Sequence, residues 1–431
     1  MIRTAIAAAA MLALAGTASA ETYAIQAGHV IVDAAKPARG PSTIIVTDGR
    51  ITRIDDGATA PDGATVVDLR TKTVMPGLID AHVHLTGDAG LPWYQSLTTK
   101  YSEDYAAITG VKNALITARA GFTTVRDVGS AGVAAIAVRD AINDGSVPGP
   151  RMEVSGQALS IIGGHGDPSV GLAPELRAAI DATHDVFTVC TGAEECAKAV
   201  RQLGASGVDV IKFHATGGVL DPGDIGLEQH FSDEEMKAII DTAHALHLKV
   251  AAHAHGAKGI DAAVRAGVDS IEHGTFVDDQ GVADMKARGT YYVATLMAFR
   301  GAVNMIGKGI LQPASERKAQ QAFEVWGKGL NKAYKAGVKI ALGTDAGVFK
   351  HGTNAQEIEL MVTKAGMTPR DALVAATRGG ADLLGLSAET GTLDIGKSAD
   401  LIAVDGDPLS DATAVQHVGY VMVRGKPIPM K

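Results

Sequence analysis

Two histidines spaced by one residue, in Asp80-Ala81-His82-Val83-His84, are the first residues of this chain whose types and spacing suit chemistry. Side chains two apart on a strand share a face, so both imidazoles can reach one ion. Taken alone the pair reads equally well as two hydrogen-bonded core histidines. Further ligand-type residues stand near the C-terminal ends of later strand-like runs: Lys212 in Ile211-Lys212-Phe213-His214, His253 in Ala252-His253-Ala254-His255, His273 in Glu272-His273-Gly274 and Asp345 in Gly343-Thr344-Asp345-Ala346. Chance would scatter such residues over helices and loops. Their joint placement, at the end of a barrel where active sites are built, is far more specific than any one of them alone.

Lys212 decides between chemistries. A charged amine inside the run 208–213 is costly to bury without a partner. It can be neutralised by a carboxylate such as Asp345, or it can take up carbon dioxide to become a carbamate, an anionic ligand that bridges two metals.

Other groups fall near the same end. His214 and His255 share strand faces with Lys212 and His253, as outer supports of the ligands, substrate contacts or satisfied core histidines. His165 sits in the Gly-rich segment Ile161-Ile162-Gly163-Gly164-His165-Gly166-Asp167, where a barrel keeps its binding loops, as a candidate for the substrate carbonyl or carboxylate. Arg300 has the fork geometry to clamp a free carboxylate, and the Thr216-Gly217-Gly218 turn offers backbone donors; a solvated loop arginine is the plainer reading of the former. Tyr291 and Tyr292 read as core, at the end opposite the site. His29, His417, His244 and His247 receive no role. His184, His230 and His351 read as surface loop residues, the last two within reach of the barrel mouth.

These residues need a frame. Between positions 76 and 386 apolar runs alternate with helical patterns, the signature of parallel β/α units. Eight runs read as strands: 78–85, 122–128, 151–159, 208–215, 249–255, 270–274, 291–296 and 339–346. That number closes a (β/α)₈ TIM barrel, an α/β fold. Ser232 with Glu235 reads as a capping box, and Thr368-Pro369 as a helix start. The chain ends have a different texture: hairpin signals such as Asp48-Gly49 in residues 21–75, and short strands in 387–431. A small β-sandwich built from both ends is expected.

Residues 1–20 carry Arg3, an apolar run and Ala18-Ser19-Ala20, the plan of a secretory signal peptide, so a secreted, periplasmic protein is expected. No later segment offers about 18 consecutive apolar residues, so no membrane span is expected. The formal net charge of -9 becomes -10 once Arg3 is removed, which argues against nucleic acid as a partner. The two cysteines, Cys190 and Cys196, are close enough in sequence to bridge in an oxidising compartment. A homo-oligomer is compatible with all of this.

With these residues in view, the chain resembles the amidohydrolase superfamily over nearly its whole mature length. Pro76-Gly77-Leu78-Ile79-Asp80-Ala81-His82-Val83-His84, Thr124-Val125-Arg126-Asp127-Val128-Gly129, Ile211-Lys212-Phe213-His214-Ala215-Thr216-Gly217-Gly218 and Ala399-Asp400-Leu401-Ile402 resemble its imidazolonepropionase-like branch. That branch includes exported Xaa-Pro-type dipeptidases and ochratoxin-hydrolysing, carboxypeptidase-like amidohydrolases. The resemblance implies that His82, His84 and Asp345 hold an inner divalent metal ion, that His253 and His273 hold an outer one, and that Lys212, as N6-carboxylysine, bridges them. Zinc is the favoured ion and carbon dioxide or bicarbonate the source of the carbamate. Water acidified from about 15.7 toward about 7 is the implied nucleophile, and Asp345 the general acid and base.

The expected activity is release of the C-terminal residue from a dipeptide or N-acyl amino acid, ochratoxin-type amides included, so the expected partner is a small molecule or short peptide. Two other readings fit the same ligand types. One is a hydrolase of cyclic amides, lactones or organophosphate esters; the other is a noncatalytic metal- or ligand-binding protein on the same barrel.

Overall fold

The computed structural model describes residues 21–89, 102–183, 187–222 and 226–431. The expected signal segment 1–20 and His184 lie outside the described residues. Four strands open the chain: β1 (Thr22–Val30), β2 (Ser42–Thr47), β3 (Arg50–Asp56) and β4 (Thr65–Pro76). The turn between β2 and β3 is Asp48-Gly49, both in left-handed backbone at φ 49° and 79°. That geometry matches the twist of a tight antiparallel hairpin.

Seven parallel strands follow. β5 (Leu78–Val83), β6 (Phe122–Asp127) and β7 (Arg151–Val154) form one sheet; β8 (Val210–His214), β9 (Lys249–Ala254), β10 (Ser270–His273) and β11 (Tyr291–Val293) form another. Each lies within an expected run, with helices between successive strands. Single parallel bridges join the sheets, Leu159 to Phe213 on one side, and Tyr292 to Ile340 and Val83 to Ala346 on the other.

The circuit of strands does not close as one eight-stranded sheet, because run 339–346 forms no ladder. Backbone hydrogen bonds still tie the run to β5, Ala81 to the Leu342 carbonyl and His84 to the Ala346 carbonyl, both at 2.8 Å; the Thr344 amide is shared between the His82 carbonyl at 3.3 Å and the Asp80 carboxylate at 3.0 Å, and Asp345 next to it turns into left-handed backbone at φ 63°.

The chain ends also differ from expectation. β12 (Leu401–Val404), β13 (Val418–Val423) and β14 (Lys426–Pro427) join the first four strands in one seven-stranded sheet, in the order β14-β13-β12-β4-β1-β2-β3, rather than in two stacked sheets. The cause is β4. It pairs in parallel with β1 on one edge and antiparallel with β12 on the other, so N- and C-terminal strands meet edge to edge. Ile25, Val30, Ile44, Val74, Leu401 and Met422, drawn from both ends, share one buried cluster.

The helices start where their capping residues stand. Ser232 accepts from the Glu235 amide while the Glu235 carboxylate accepts from the Ser232 amide, and Thr368 caps Pro369–Val374. Among the described residues no helix is long and apolar enough to cross a membrane. Cys190 and Cys196 form a disulfide, both sulfurs in the core, at the start of the helix Ala193–Ala205. Its loop spans only 6 positions. Loop-closure entropy for so short a ring assigns it about 2 kcal/mol, so Cys190→Ala with Cys196→Ala is expected to lower the unfolding free energy from urea denaturation by that amount. An unaltered unfolding free energy contradicts this.

Candidate metal centre

The C-terminal ends of β5, β9, β10 and the 339–346 run converge. Two groups result, His82 with His84 and Asp345, and His253 with His255 and His273; within each, the potential ligand atoms all lie within 4.8 Å of one another. His82 Nε2 and His84 Nε2 stand 3.5 and 3.2 Å from the same oxygen, Asp345 Oδ1. The groups adjoin, with the rings of His82 and His273 5.0 Å apart. His255, which sequence offered only as a support or substrate contact, is thus placed among ligand-type atoms.

The far nitrogen of most of these rings is already engaged. His82 Nδ1 donates to Glu272 at 2.7 Å and His84 Nδ1 to the Gly129 carbonyl at 2.9 Å. His255 Nδ1 pairs with the Thr275 hydroxyl at 2.6 Å and His273 Nδ1 with the Thr295 hydroxyl at 2.7 Å. This fixes ring orientation and leaves Nε2 for a ligand, the arrangement in which metal-binding histidines are held. Among the described residues His82 Nε2 is buried with no hydrogen bond, a state that is costly without a further partner. The donor set of imidazoles and a carboxylate therefore fits two divalent ions of the zinc type.

Behind His82 is a buried charge pair that reading for ligands missed. Arg126 on β6 donates through Nη2 to Glu272 Oε1 at 2.8 Å and through Nε to the Ala81 carbonyl at 2.7 Å; Ser270 also donates to Glu272. Arg126 and Glu272 are 1% and 0% exposed. Burial alone would raise the Glu272 carboxyl, but Arg126 and His82 outweigh it and hold it at about 2. The signal was present: an acid directly before His273, and an arginine inside an apolar strand. Asp80 is a second such group, bonded by the Thr344 hydroxyl and the Asn354 amide and pushed up by burial to about 7.

Strand alternation would send Glu272 and His273 to opposite faces, yet both meet His82. His273 is in left-handed backbone at φ 70°, as is Thr295, which holds it, at φ 50°. Such conformations in residues other than glycine cost on the order of 1–3 kcal/mol and cluster at functional sites. Tyr292, read as core away from the site, is buried, but its hydroxyl donates to the His273 and Gly274 carbonyls and so braces this turn.

Lys212 is 2% exposed and has no ion pair among the described residues, although Glu272 and Asp345 pull on its charge. Burial brings the amine down to about 8 against that pull. Burial also lowers His82 to about 4 and His255 to about 3, and holds His253 and His273 well below the usual range, so these imidazoles are neutral at pH 7 and open to a cation.

The remaining candidates separate. His165 stacks on His253 at 4.3 Å and donates Nδ1 to buried Asp221 at 2.5 Å; Asp221 also accepts from the Gly218 amide at 2.7 Å. A Cβ at Gly218 would lie 2.3 Å from His165 Nδ1, and the Gly217 carbonyl lies 3.4 Å from His253 Nε2. His214 turns its Nδ1 to the Leu159 carbonyl and its ring edge to His165. Arg300 stands on an exposed position of the helix Leu296–Val303, donating to Gln356 at 2.9 Å.

A sequence model of the amidohydrolase family matches residues 73–428. Ochratoxinase of Aspergillus niger is 34% identical over 96% of this chain and 88% of its own length, and imidazolonepropionase of Symbiobacterium thermophilum is 27% identical over 88% and 89%. Among solved structures, a Xaa-Pro dipeptidase with methionine bound in its active site superposes with a TM-score of 0.88 at 37% identity, over 94% of this chain and 99% of the other.

Glu272→Gln would leave the Arg126 charge buried without its counterion. A loss of about 3–5 kcal/mol in unfolding free energy is expected, partly regained when Arg126→Met is added. Additive losses in the double variant, measured by urea denaturation, contradict the pair's role.

Proposed function

The chain belongs to the amidohydrolase family, in its imidazolonepropionase-like branch, and from that premise we propose a binuclear metal-dependent hydrolase that releases the C-terminal residue of a dipeptide or N-acyl amino acid. Hydrolysis of an amide or peptide bond follows from family membership. The observation that carries the finer reading is the pair of adjoining ligand groups with Lys212 acting electrostatically on both, on His82 and Asp345 in one and on His273 in the other.

His82, His84 and Asp345 would hold one ion, and His253 and His273, with His255 beside them, the other; Lys212, as a carbamate, would be a further anionic ligand. Bound there, two divalent ions supply Lewis acidity, acidifying water and polarising the scissile carbonyl. The chain's own residues supply the rest. Asp345 is held ionised because His82, His84 and Lys212 outweigh the burial that would raise it. It takes the proton of the attacking water and passes it to the leaving nitrogen, without which an amine is not expelled. His165, fixed by Asp221 and stacked on His253, presents its free edge to the substrate carbonyl.

The similarity to an ochratoxinase and to a Xaa-Pro dipeptidase supports a substrate with an amino acid on the leaving side. Export to the periplasm completes the proposal. It rests on the signal-like segment 1–20 and agrees with a disulfide suited to an oxidising compartment.

The test is elemental analysis of the purified protein together with hydrolysis of a panel of dipeptides and N-acyl amino acids before and after chelation. Near two ions per chain and chelator-sensitive release of the C-terminal residue are expected. Two ions without release would move the substrate to cyclic amides or esters, and no bound metal after supply of zinc and bicarbonate would refute the mechanism. Asp345→Asn is expected to reduce kcat by about 10²-fold or more; retained turnover would remove Asp345 from proton transfer.

A further inference from the structure

His230, read from sequence as a surface loop histidine, has both ring nitrogens buried and, among the described residues, neither hydrogen-bonded. Such a group is rare in a folded protein and needs a partner. Its backbone is pinned, the His230 amide donating to the Ala215 carbonyl at 2.8 Å beside a Thr216–Gln229 bridge. This sets the imidazole against Gly217: a Cβ there would lie 3.1 Å from His230 Nε2 and 2.2 Å from the Gly226 carbonyl. The Gly217 carbonyl faces His253 on its other side. One residue thus separates the unsatisfied ring from the candidate metal centre.

The surroundings define what it can take. Asp221 is the carboxylate that acts on His230, but its two oxygens are occupied by His165 and the Gly218 amide. Its charge is therefore already shared with donors. His351, the other loop histidine near the mouth, differs in donating Nε2 to the Gly87 carbonyl. Arg300, the sequence candidate for anchoring a carboxylate, is engaged with Gln356 at the exposed surface.

We propose that His230 is the substrate-binding residue that receives the terminal carboxylate of the leaving amino acid, a ring N–H donating to it. The inference rests on the reading of function above and adds a carboxylate contact to the Arg300 candidate, whose Nη1 is engaged with Gln356. A carboxylate supplies the strong acceptor that the buried N–H lacks in the free enzyme, and binding would convert an unsatisfied group into a charge-assisted hydrogen bond.

The test uses the best-cleaved member of the N-acyl amino acid and dipeptide panel together with its C-terminal carboxamide, on wild type, His230→Phe and His230→Gln. His230→Phe is expected to raise KM for the free acid by about tenfold or more with kcat little changed, and to narrow the acid-over-carboxamide preference in kcat/KM by the same factor. His230→Gln, which keeps an N–H, is expected to recover most of that preference. His230→Leu provides the same reading should the phenylalanine not fold. An unchanged KM for the acid in a folded variant, or equal losses for acid and carboxamide, overturns the inference while leaving the hydrolase reading intact. A wild-type protein that cleaves no member of the panel overturns both.

Discussion

The site depends on a buried carboxylate held between two partners, Glu272 between Arg126 and His82. Two ionisable groups with almost no exposure would each be costly alone. Together, with Ser270 and the Ala81 carbonyl completing the hydrogen bonds, they join β5, β6 and β10 through one network. The network also settles which nitrogen of His82 carries its proton. With Nδ1–H committed to Glu272, Nε2 is the lone pair that faces Asp345. A structural charge pair and a ligand's tautomer are thus the same interaction.

The surrounding backbone is shaped to the same end. His273, Thr295 and Asp345 adopt left-handed conformations at the ends of β10, β11 and the 339–346 run. Extended strands would have dispersed these side chains; the turns gather them. Asp80 adds side-chain hydrogen bonds at Thr344 to the backbone ones by which the last run meets β5, where the candidate ligands converge.

The terminal sheet meets this framework at β4. Gly77, directly after β4, donates its amide to the Asp400 carbonyl, and a Cβ there would lie 2.1 Å from Thr123 Oγ1, so only glycine fits where β5 starts beside β6. The Asp400 carboxylate accepts from Arg151 at 3.2 Å, tying the start of β7 to β12. The small sheet is therefore fastened to the strands that carry the first ligand pair.

Much of this was legible in the sequence, for a physical reason. Candidate ligand residues were readable because a strand's period of two puts His82 and His84 on one face, and because apolar runs mark seven parallel strands within their expected bounds. Helix starts at Ser232 and Thr368 are local, set by a side chain bonding an amide three residues on. What depends on distant partners was not readable. Whether two sheets stack or β4 welds them edge to edge, and how run 339–346 meets its neighbours, are settled by groups far apart in the chain. The same holds for His230. Its residue type was visible from the start, but only the tertiary structure, with the His230 amide on the Ala215 carbonyl, sets its buried nitrogens beside Gly217 with no hydrogen-bond partner among the described residues.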